Sequence, residues 1–266
     1  MAKAPPRIIS VANQKGGVGK TTTTINLGAS MAAKGLNVAV IDLDPQGNAS
    51  TGLGIEHGDR KDTTYDLLLN ELPLKDVLRE TGVPGLRISP ATTDLSSADL
   101  ELVSSARRIF LLSDALGALA TEDLDLDYIL IDCPPSLNLL TLNAMVASDS
   151  VLVPLQAEFF ALEGLSQLML SVREIRETAN SRLRLEGVVL TMYDRRNNLC
   201  HQVELDVREN LKDLVFKTMI PRNVRLSEAP SYGMPVINYD PSSLGAVAYK
   251  SLATEIVARH SQQERA

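Results

Sequence analysis

The stretch VANQKGGVGKTTTTINLG, residues 11–28, contains the residue types that bind phosphate. Its GKT at positions 19–21 matches the end of the phosphate-loop spacing G-x-x-x-x-G-K-[ST], although Gln14 replaces the first glycine. Backbone N–H groups of a glycine-rich loop can surround phosphate oxygens without Cβ clashes, and the N-terminus of a following helix adds positive potential. The stretch therefore predicts a nucleoside-triphosphate site. It also contains a second lysine, Lys15, which a simple phosphate loop does not require.

The residues of this loop have separate predicted roles. Lys20 is expected to reach the β- and γ-phosphates, Thr21 to ligate Mg²⁺, and Thr22 to donate to the α-phosphate. The predicted nucleotide contacts in the loop are Lys15, Gly16, Gly17, Val18, Gly19, Lys20, Thr21 and Thr22. The alternative is a plain glycine-rich turn, and the GKTT ending between a predicted strand and a predicted helix argues against it.

Three acids follow aliphatic segments that are typical of buried strands. Asp42 and Asp44 lie in VIDLDPQGN, and Asp132 ends ILID. Ligands of open α/β sheets bind at the carboxyl ends of the strands. Asp132 has the position of a Walker B aspartate, which holds Mg²⁺, often through water. The alternative is that these acids only cap loops, but three of them beside a phosphate loop favour a metal-dependent nucleotide site.

Short aliphatic segments alternate with helical ones along the chain. The predicted strands are RIISVAN, NVAVIDLD, GLRISP, DYILIDCPP, SVLVPL and LRLEGVVLTMY, and VFKTMIP is the last aliphatic run. The predicted helices are TTTTINLGASMAAKG, the short pieces YDLLLNE and LKDVLRE, SSADLELVSSARRIFLLSDALGAL with a break near 104–107, ALEGLSQLMLSVREIRETA, VELDVRENLKDL and PSSLGAVAYKSLATEIVARH. This alternation implies βαβ crossovers, hence an α/β fold with a mainly parallel twisted sheet flanked by helices on both faces.

The chain organisation predicted from this pattern is simple. We expect a flexible tail at 1–6, a single phosphate-loop NTPase domain at 7–260 and a polar tail at 261–266. The chain has 266 residues, 44% of them hydrophobic and only 4% aromatic, so the core is expected to be aliphatic.

Composition also bounds the class of protein. Cys133 and Cys200 form no C-x-x-C spacing, so the sequence offers no zinc ribbon or disulfide framework, which suits a reducing compartment. We find no signal-peptide pattern and no apolar run of transmembrane length, and the ending ARHSQQERA is too polar for a membrane anchor. A cytoplasmic protein without membrane binding is expected.

Charge is distributed unevenly. The net charge is -7, which by itself argues against nucleic-acid binding. Residues 181–225 nevertheless contain nine Lys or Arg against six acids, a local charge of +3 that leaves -10 for the remainder. A basic surface on an acidic protein is therefore compatible with the sequence.

Four segments together resemble one family. KGGVGKTT, with two lysines, resembles the deviant Walker A motif of the ParA/MinD class of ATPases. DLDPQGNAS followed by TGLG, IDCPPSLNLLTLNAM, and IPRNVRLSEAPSYGMPVINYDPSSLGAVAY resemble the ParA/Soj chromosome- or plasmid-partitioning branch. The resemblance extends from about Arg7 to His260, nearly the whole chain.

The resemblance implies an ATPase that uses ATP and Mg²⁺ and is active as an ATP-dependent homodimer. Lys15 is expected to cross to the nucleotide of the partner subunit and to neutralise developing charge there, as an arginine finger does. Asp44 matches the acid that orients the attacking water, while Asp42 is expected to act indirectly, behind the site or in a loop switch. The implied catalytic residues are Lys15, Lys20 and Asp44. Pro221 and Asn223 match a segment that packs near the adenine.

The resemblance also implies partners. The family binds double-stranded DNA without sequence preference, and by position Arg195, Arg196 and Arg225 are the implied DNA contacts. The alternative for each arginine is an ordinary solvated side chain, and the local positive charge supports the group rather than any member. A ParB-type centromere-binding protein that stimulates hydrolysis, and a location on the nucleoid, are implied as well.

Three other functions share the fold. A MinD-like membrane-cycling ATPase of cell division has both lysines but needs a C-terminal amphipathic helix. An iron–sulfur carrier needs paired cysteines at a dimer interface, and Cys133 after Asp132 is suggestive of it. An ATP-dependent small-molecule ligase leaves the basic segment and the PRNVRLSEAP resemblance without explanation.

Overall fold

The structure is a computed structural model, and it describes residues 5–98, 107–121, 124–158 and 161–263. Seven strands lie in these ranges. They are β1 Arg7–Val11, β2 Val38–Asp42, β3 Arg79–Glu80, β4 Leu86–Ser89, β5 Tyr128–Asp132, β6 Ser150–Gln156 and β7 Arg184–Thr191.

Eleven α-helices lie in the same ranges. They are α1 Lys20–Ala32, α2 Asn48–Gly52, α3 Thr64–Leu69, α4 Leu74–Val77, α5 Leu111–Gly117, α6 Leu139–Ala147, α7 Ala161–Thr178, α8 Asn198–Leu211, α9 Val224–Glu228, α10 Val236–Tyr239 and α11 Leu244–Gln263. Short 3₁₀ turns occupy His57–Asp59, Thr93–Ser96, Ala118–Thr121, Lys212–Leu214 and Ala229–Tyr232. No helix in the described ranges is both long enough and apolar enough to cross a bilayer.

The strands form one sheet in the order β3-β4-β2-β5-β1-β6-β7. All pairings are parallel except that of β3 with β4. The predicted mainly parallel α/β sheet is thus confirmed. The register places Val11 opposite Asp132 and Asp42 opposite Asp132, so the ends of β1, β2 and β5 meet at one edge.

Helices cover both faces of the sheet, as predicted. Successive residues of β5 alternate between the two cores, with Leu130 on one face and Ile129 and Ile131 on the other. Helices α1, α2, α9, α10 and α11 pack on the Leu130 face, while α3 to α8 pack on the opposite face. Helix α1 lies very close to the sheet, because a Cβ on Gly28 would come within 3.2 Å of the Leu86 side chain.

The last aliphatic run, VFKTMIP, does not form a continuous strand. It follows β7 through isolated bridges at Val215 and Pro221. Between them, the carboxylate of Glu255 accepts hydrogen bonds from the backbone N–H groups of Lys217 and Thr218, at 2.9 and 3.0 Å. The N–H groups of Phe216 and Ile220 donate to β7 carbonyls, and the side chain of Glu255 takes the N–H of Thr218 that lies between them.

Two other differences concern helices. The sequence pattern did not predict α2, a five-residue helix that follows Asp44 and begins after Gly47. Most of the predicted break near 104–107 lies outside the described residues, and the described continuation is α5. The pieces around Pro73 are helices α3 and α4, but the end of LKDVLRE belongs to strand β3.

Candidate functional site

The loop between β1 and α1 has the backbone that its glycines allow. Gly17 and Gly19 have φ angles of 74° and 88°, in the left-handed region that favours glycine. Gly16 and Gly17 are exposed, while Val18 is buried beneath them. Thr21 and Thr22 are half-buried in the first turn of α1, next to its unpaired N–H groups. An exposed glycine-rich loop next to a helix N-terminus suits an anion.

Two strand ends hold the loop in place. The Asn13 side chain donates to the carbonyl of Pro154 in β6 at 2.7 Å, and its Oδ1 accepts from the N–H of Lys15 at 3.0 Å. The Thr191 hydroxyl, at the end of β7, donates to the carbonyl of Val18 at 2.8 Å. The loop is therefore fixed from β6 and β7 as well as from β1.

Lys20 is enclosed by the loop that precedes it. Its residue is only 7% exposed, and its Nζ donates to the carbonyl of Lys15 at 3.0 Å. Burial lowers the pKa of Lys20, and the negative charges of Asp132 and Asp44 oppose that effect. An ammonium group with little solvent and acids nearby is suited to bind a phosphate.

Lys15 points to a different partner. Its Nζ forms an ion pair with Glu158, just beyond the end of β6, and both side chains are partly exposed. Glu158 could not be predicted from the sequence, because it is 143 positions from Lys15 and no local pattern indicates that the two side chains are in contact. Lys15 is thus held within its own chain by an exposed contact that can be exchanged.

Asp132 is fully buried at the end of β5, and its two oxygens differ. Oδ1 accepts a hydrogen bond from the Thr24 hydroxyl at 3.0 Å, whereas Oδ2 has no hydrogen-bond partner within the described part of the chain. Burial and the nearby charge of Asp42 raise the pKa of Asp132 to about 8, against the smaller opposing effects of the nearby Thr21 and Thr24 hydroxyls. An unpartnered buried carboxylate oxygen beside Thr21 is the donor set that suits Mg²⁺.

Asp42 is fully buried and its oxygens are occupied by the loop that follows it. Oδ2 accepts from the N–H and the hydroxyl of Ser50 at 2.9 and 2.7 Å, and Oδ1 accepts from the N–H of Asp44 at 3.2 Å. Burial raises the pKa of Asp42 to about 6, against the effect of these hydrogen bonds. Its contacts are those of a residue that shapes the loop at 43–50.

Asp44 lies in that loop and is 8% exposed. Its Oδ1 accepts from the N–H of Gln46 at 3.0 Å, which fixes the side chain at the turn before α2. The negative charge of Asp44 acts to raise the pKa values of Lys20, Asp42 and Asp132. The structure therefore brings Asp44 into the same charged group as the phosphate loop and Asp132.

Pro221 and Asn223 lie beyond the carboxyl end of β7, on the side of the sheet edge where the loop lies. Pro221 bridges to Tyr193. The Asn223 side chain caps α9 by accepting from the N–H of Arg225 at 3.0 Å. Asn223 thus has a structural contact of its own, and the adenine contact assigned to both residues stays a prediction.

Two of the arginines implied in DNA binding, Arg195 and Arg196, lie in the loop after β7, and the third, Arg225, lies in the first turn of α9. Arg195 and Arg196 follow Tyr193, whose bridge to Pro221 brings them beside the segment that leads to Arg225. Arg196 is 90% exposed and pairs with Asp194 at 3.0 Å, a contact that lowers the pKa of Asp194 to about 2. Arg225 pairs with Glu228 at 2.7 Å and with Asp240 at 3.3 Å. Arg195 is exposed.

The cysteines are placed as packing residues. Cys133 and Cys200 are both buried, and the Cys200 thiol donates to the carbonyl of Ala157 at 3.3 Å. Burial strongly raises the pKa of the Cys133 thiol. No group of three or more His, Cys, Asp or Glu side chains that could hold a metal occurs in the ranges described. The burial of both thiols in the core, and the hydrogen bond of Cys200, do not fit the pair of interface cysteines that an iron–sulfur carrier needs.

The comparisons with known proteins agree with this geometry. A family model described as an AAA domain matches residues 6–185. The chain is 54% identical to the chromosome partitioning protein ParA of Caulobacter vibrioides, covering 99% of this chain and 98% of that protein. It is 52% identical to the sporulation initiation inhibitor protein Soj of Bacillus subtilis, covering 95% and 98%.

A solved structure shares the whole fold. Cobyrinic acid a,c-diamide synthase from Mycobacterium smegmatis, crystallised with an ATP analogue and magnesium, aligns with a TM-score of 0.82 and 35% identity. The alignment covers 97% of this chain and 96% of that one. Because identity is higher to ParA and Soj over equally complete lengths, and the phosphate loop contains both lysines, the chain belongs to the ParA/Soj family of chromosome-partitioning ATPases.

Proposed function

We propose that this protein is a DNA-partition ATPase that hydrolyses ATP with Mg²⁺ as a homodimer, binds DNA without sequence preference in the ATP state, and leaves it after hydrolysis. The observation that carries the proposal is the edge where β1, β2 and β5 end. There Lys20, the unpartnered oxygen of Asp132 and Asp44 lie beside an amide-lined loop. Strand-end acids beside such a loop are the apparatus of phosphoryl transfer to water.

Within one subunit, the loop amides and Lys20 bind the phosphates and neutralise their charge. Thr21 and Asp132, the latter through water, are the residues that would hold Mg²⁺, which supplies charge neutralisation at the β- and γ-phosphates. Asp44 orients the attacking water and accepts its proton. Two hydrogen bonds support this role by holding Asp44 in the loop after β2: its N–H donates to Asp42, and its carboxylate accepts from the N–H of Gln46.

Lys15 makes the site dependent on the second subunit. In the isolated chain it is paired with Glu158. Both side chains are exposed enough that the pair contributes little, so the lysine can be transferred to a stronger anion without large cost. The triphosphate of the partner subunit is that anion in our proposal, and hydrolysis is then restricted to the dimer.

DNA binding is assigned to the surface formed by Arg195, Arg196 and Arg225. A dimer presents this surface twice, so its affinity for the phosphate backbone is multiplied without any new contact. A ParB-type partner stimulates hydrolysis and so releases the protein from the nucleoid. A cytoplasmic location follows from this role.

The test is retention of the full-length protein on non-specific double-stranded DNA. We expect strong retention with ATP and Mg²⁺, and little with ADP or without nucleotide. The matched variants are Lys15→Ala and Lys34→Ala, because Lys34 is an exposed lysine after α1. Lys15→Ala should bind ATP but fail to dimerise and to stay on DNA, whereas Lys34→Ala should behave as the wild type. Equal retention with ATP, ADP and no nucleotide would refute the switch.

A further inference from the structure

Arg60 is a buried arginine that the sequence did not single out. It lies after the 3₁₀ turn that follows α2, and its residue is 9% exposed. Four hydrogen bonds hold its guanidinium. Nη1 donates to the carbonyl of Ala91 at 3.0 Å, Nη2 donates to the Thr51 hydroxyl at 2.7 Å, and Nη2 and Nε donate to the carbonyl of Ile55 at 2.9 and 3.2 Å.

No carboxylate lies within ion-pair distance of this guanidinium in the part of the chain that the structure describes. Its acceptors are backbone carbonyls and one hydroxyl. The buried charge therefore holds segments of the backbone together. Burying a charge is costly unless hydrogen bonds compensate it. We therefore expect Arg60 to fix the geometry of the backbone around it rather than to increase the net stability of the fold.

The backbone that Arg60 fixes is the turn that contains Asp44. A Cβ on Gly47 would lie 2.2 Å from Nη1 of Arg60, so the guanidinium lies directly against the Gly47 backbone. The N–H of Gly47 donates to the carbonyl of Asp44 at 2.8 Å. The Thr51 hydroxyl, held by Arg60, donates in turn to the carbonyl of Gly47 at 3.2 Å.

The opposite side of the same turn is held by Asp42 through Ser50. The two attachments converge on Ala91, which follows β4. Its N–H donates to the Ser50 hydroxyl at 3.0 Å, and its carbonyl accepts from Arg60. The turn from Asp44 to Thr51 is therefore fixed between an acid on one side and an arginine on the other.

We propose that Arg60 is a positioning residue for hydrolysis, which keeps Asp44 at the mouth of the nucleotide site by clamping the Gly47–Thr51 turn to the end of β4. The inference rests on the proposed role of Asp44. Arg60 touches no reacting atom in this scheme and acts only through the turn. The planar fork of the guanidinium is essential, because lysine cannot serve three separated acceptors at once.

The test compares single-turnover hydrolysis at saturating ATP and Mg²⁺ with ATP affinity. The variants are Arg60→Ala, Arg60→Lys, Asp44→Ala, the double variant, and Arg208→Ala as the matched control. Arg208 also donates to a backbone carbonyl and to an acid, but from α8, which packs on the opposite face of the sheet. Arg60→Ala should slow hydrolysis roughly 10- to 100-fold, the effect of a small misplacement of a catalytic group, and leave ATP affinity near that of the wild type.

Two further readouts separate positioning from folding. Guanidinium ion added at low concentration should restore hydrolysis in Arg60→Ala, and not in Asp44→Ala. The double variant should be no slower than Asp44→Ala, because both changes remove the same function. If Arg60→Ala does not fold, Arg60→Lys decides the question, since it should be slowed while its thermal unfolding stays close to that of the wild type.

The outcomes distinguish this inference from the proposed function. If Asp44→Ala is slow but Arg60→Ala and Arg60→Lys hydrolyse at the wild-type rate, the role of Arg60 is refuted and that of Asp44 stands. A double variant slowed by the product of the single effects also refutes it. If Asp44→Ala itself hydrolyses normally, the assigned role of Asp44 is wrong.

Discussion

The two ends of strand β5 lie at opposite edges of the sheet, and each is part of a buried polar group. At the carboxyl end, Asp132 has one oxygen bonded to Thr24 and one without a described partner. At the amino end, the Tyr128 hydroxyl lies 3.0 Å from Nδ1 of His260. The other ring nitrogen of His260 lies 2.9 Å from Glu186, whose second oxygen accepts from the Ser150 hydroxyl at 2.6 Å.

The two polar groups differ in whether both oxygens of the buried carboxylate have a hydrogen-bond partner. Burial tends to raise the pKa of Glu186, but the hydrogen bond and charge of His260 outweigh it, and the pKa is lowered. At Asp132 burial dominates and the pKa is raised. A fully partnered carboxylate stabilises the fold, and an incompletely partnered one keeps bonding capacity for a ligand, at a cost in stability. A buried carboxylate does not by itself indicate a functional site. A buried carboxylate oxygen without a hydrogen-bond partner is the more specific indication of one.

The largest expected effect is at the amino edge. Glu186→Ala should lower the free energy of unfolding by about 3 to 5 kcal/mol, because it leaves two buried donors without an acceptor. Hydrolysis per folded molecule should be unchanged. Urea unfolding and ATPase assays measure the two, with exposed Glu209→Ala as the control. A loss of activity greater than the loss of folded protein would show that this edge also contributes to catalysis.

Lys20→Ala, at the carboxyl edge, should have the opposite effect to Glu186→Ala: a loss of hydrolysis with little loss of stability. We expect ATP hydrolysis to fall by roughly 100-fold or more, the scale of losing one charged donor to a transferring group. Thermal unfolding without ligand should change little, because within the described residues the Lys20 ammonium donates to one acceptor, a loop carbonyl. Lys34→Ala is the matched control. Equal destabilisation by Lys20→Ala and Glu186→Ala would remove the contrast between the edges.

Asp132→Asn should separate stability from activity at one residue. The amide oxygen can still accept from Thr24, while the stability cost of burying an acid whose pKa is raised to about 8 disappears. Without nucleotide or Mg²⁺ the variant should be more stable by about 0.5 to 2 kcal/mol, and its hydrolysis should be strongly reduced. Calorimetry with and without Mg²⁺–ATP measures both. A variant that is less stable without ligand would indicate that Asp132 already stabilises the fold.

The amino edge should also have a defined pH dependence. The folded-state pKa of Glu186 lies below its ordinary value of 4.5, so the carboxylate stabilises the fold above that pH. The stabilisation is lost as pH falls through the lower folded-state pKa. The difference in unfolding free energy between the wild type and Glu186→Gln should therefore be constant above about pH 4.5 and shrink as pH falls below that value, through the lower folded-state pKa. A difference that stays constant there as well would show that the carboxylate is not ionised in the folded protein.

The smallest effect is expected where ion pairs are exposed. Glu228 pairs with Arg225 at 2.7 Å, so in the proposed DNA complex it would compete with DNA phosphate for that arginine. Glu228→Gln should strengthen non-specific DNA binding about twofold to fivefold, the range of a surface ion pair. Arg225→Glu should weaken it, reduce its salt dependence and leave dimerisation intact. Fluorescence anisotropy over a salt series measures this, and a loss of dimer in Arg225→Glu would mark the arginine as structural.

Much of the carboxyl edge could be predicted from sequence because its signal is local. The site residues lie at the carboxyl ends of strands: Asp42 and Asp132 end β2 and β5, and the phosphate loop and Asp44 follow β1 and β2. A parallel sheet brings the carboxyl ends of its strands together. The parallel sheet was predictable for the same reason. The single domain at 7–260 and the roles of the site residues stay predictions.

The contacts that were missed join distant segments. Glu158 meets Lys15 across 143 positions, and Arg60 is bonded to backbone carbonyls, which have no residue-specific signature. The incomplete strand at VFKTMIP depends on Glu255 in the last helix. Sequence patterns predict which groups are available, whereas partner choice is decided by packing between elements that are far apart in the chain.

The packing of helix α1 has a consequence for how the protein folds. Helix α1, which begins at Lys20, packs against α11, and the Thr23 hydroxyl lies 3.1 Å from that of Tyr249. Asn26 of α1 accepts from the N–H of Val236 at 2.7 Å. These partners are 226 and 210 positions apart in the chain. The helix that follows the phosphate loop is therefore covered by contacts of high sequence separation, and the entropy cost of closing that long loop must be met before the phosphate loop gains this support.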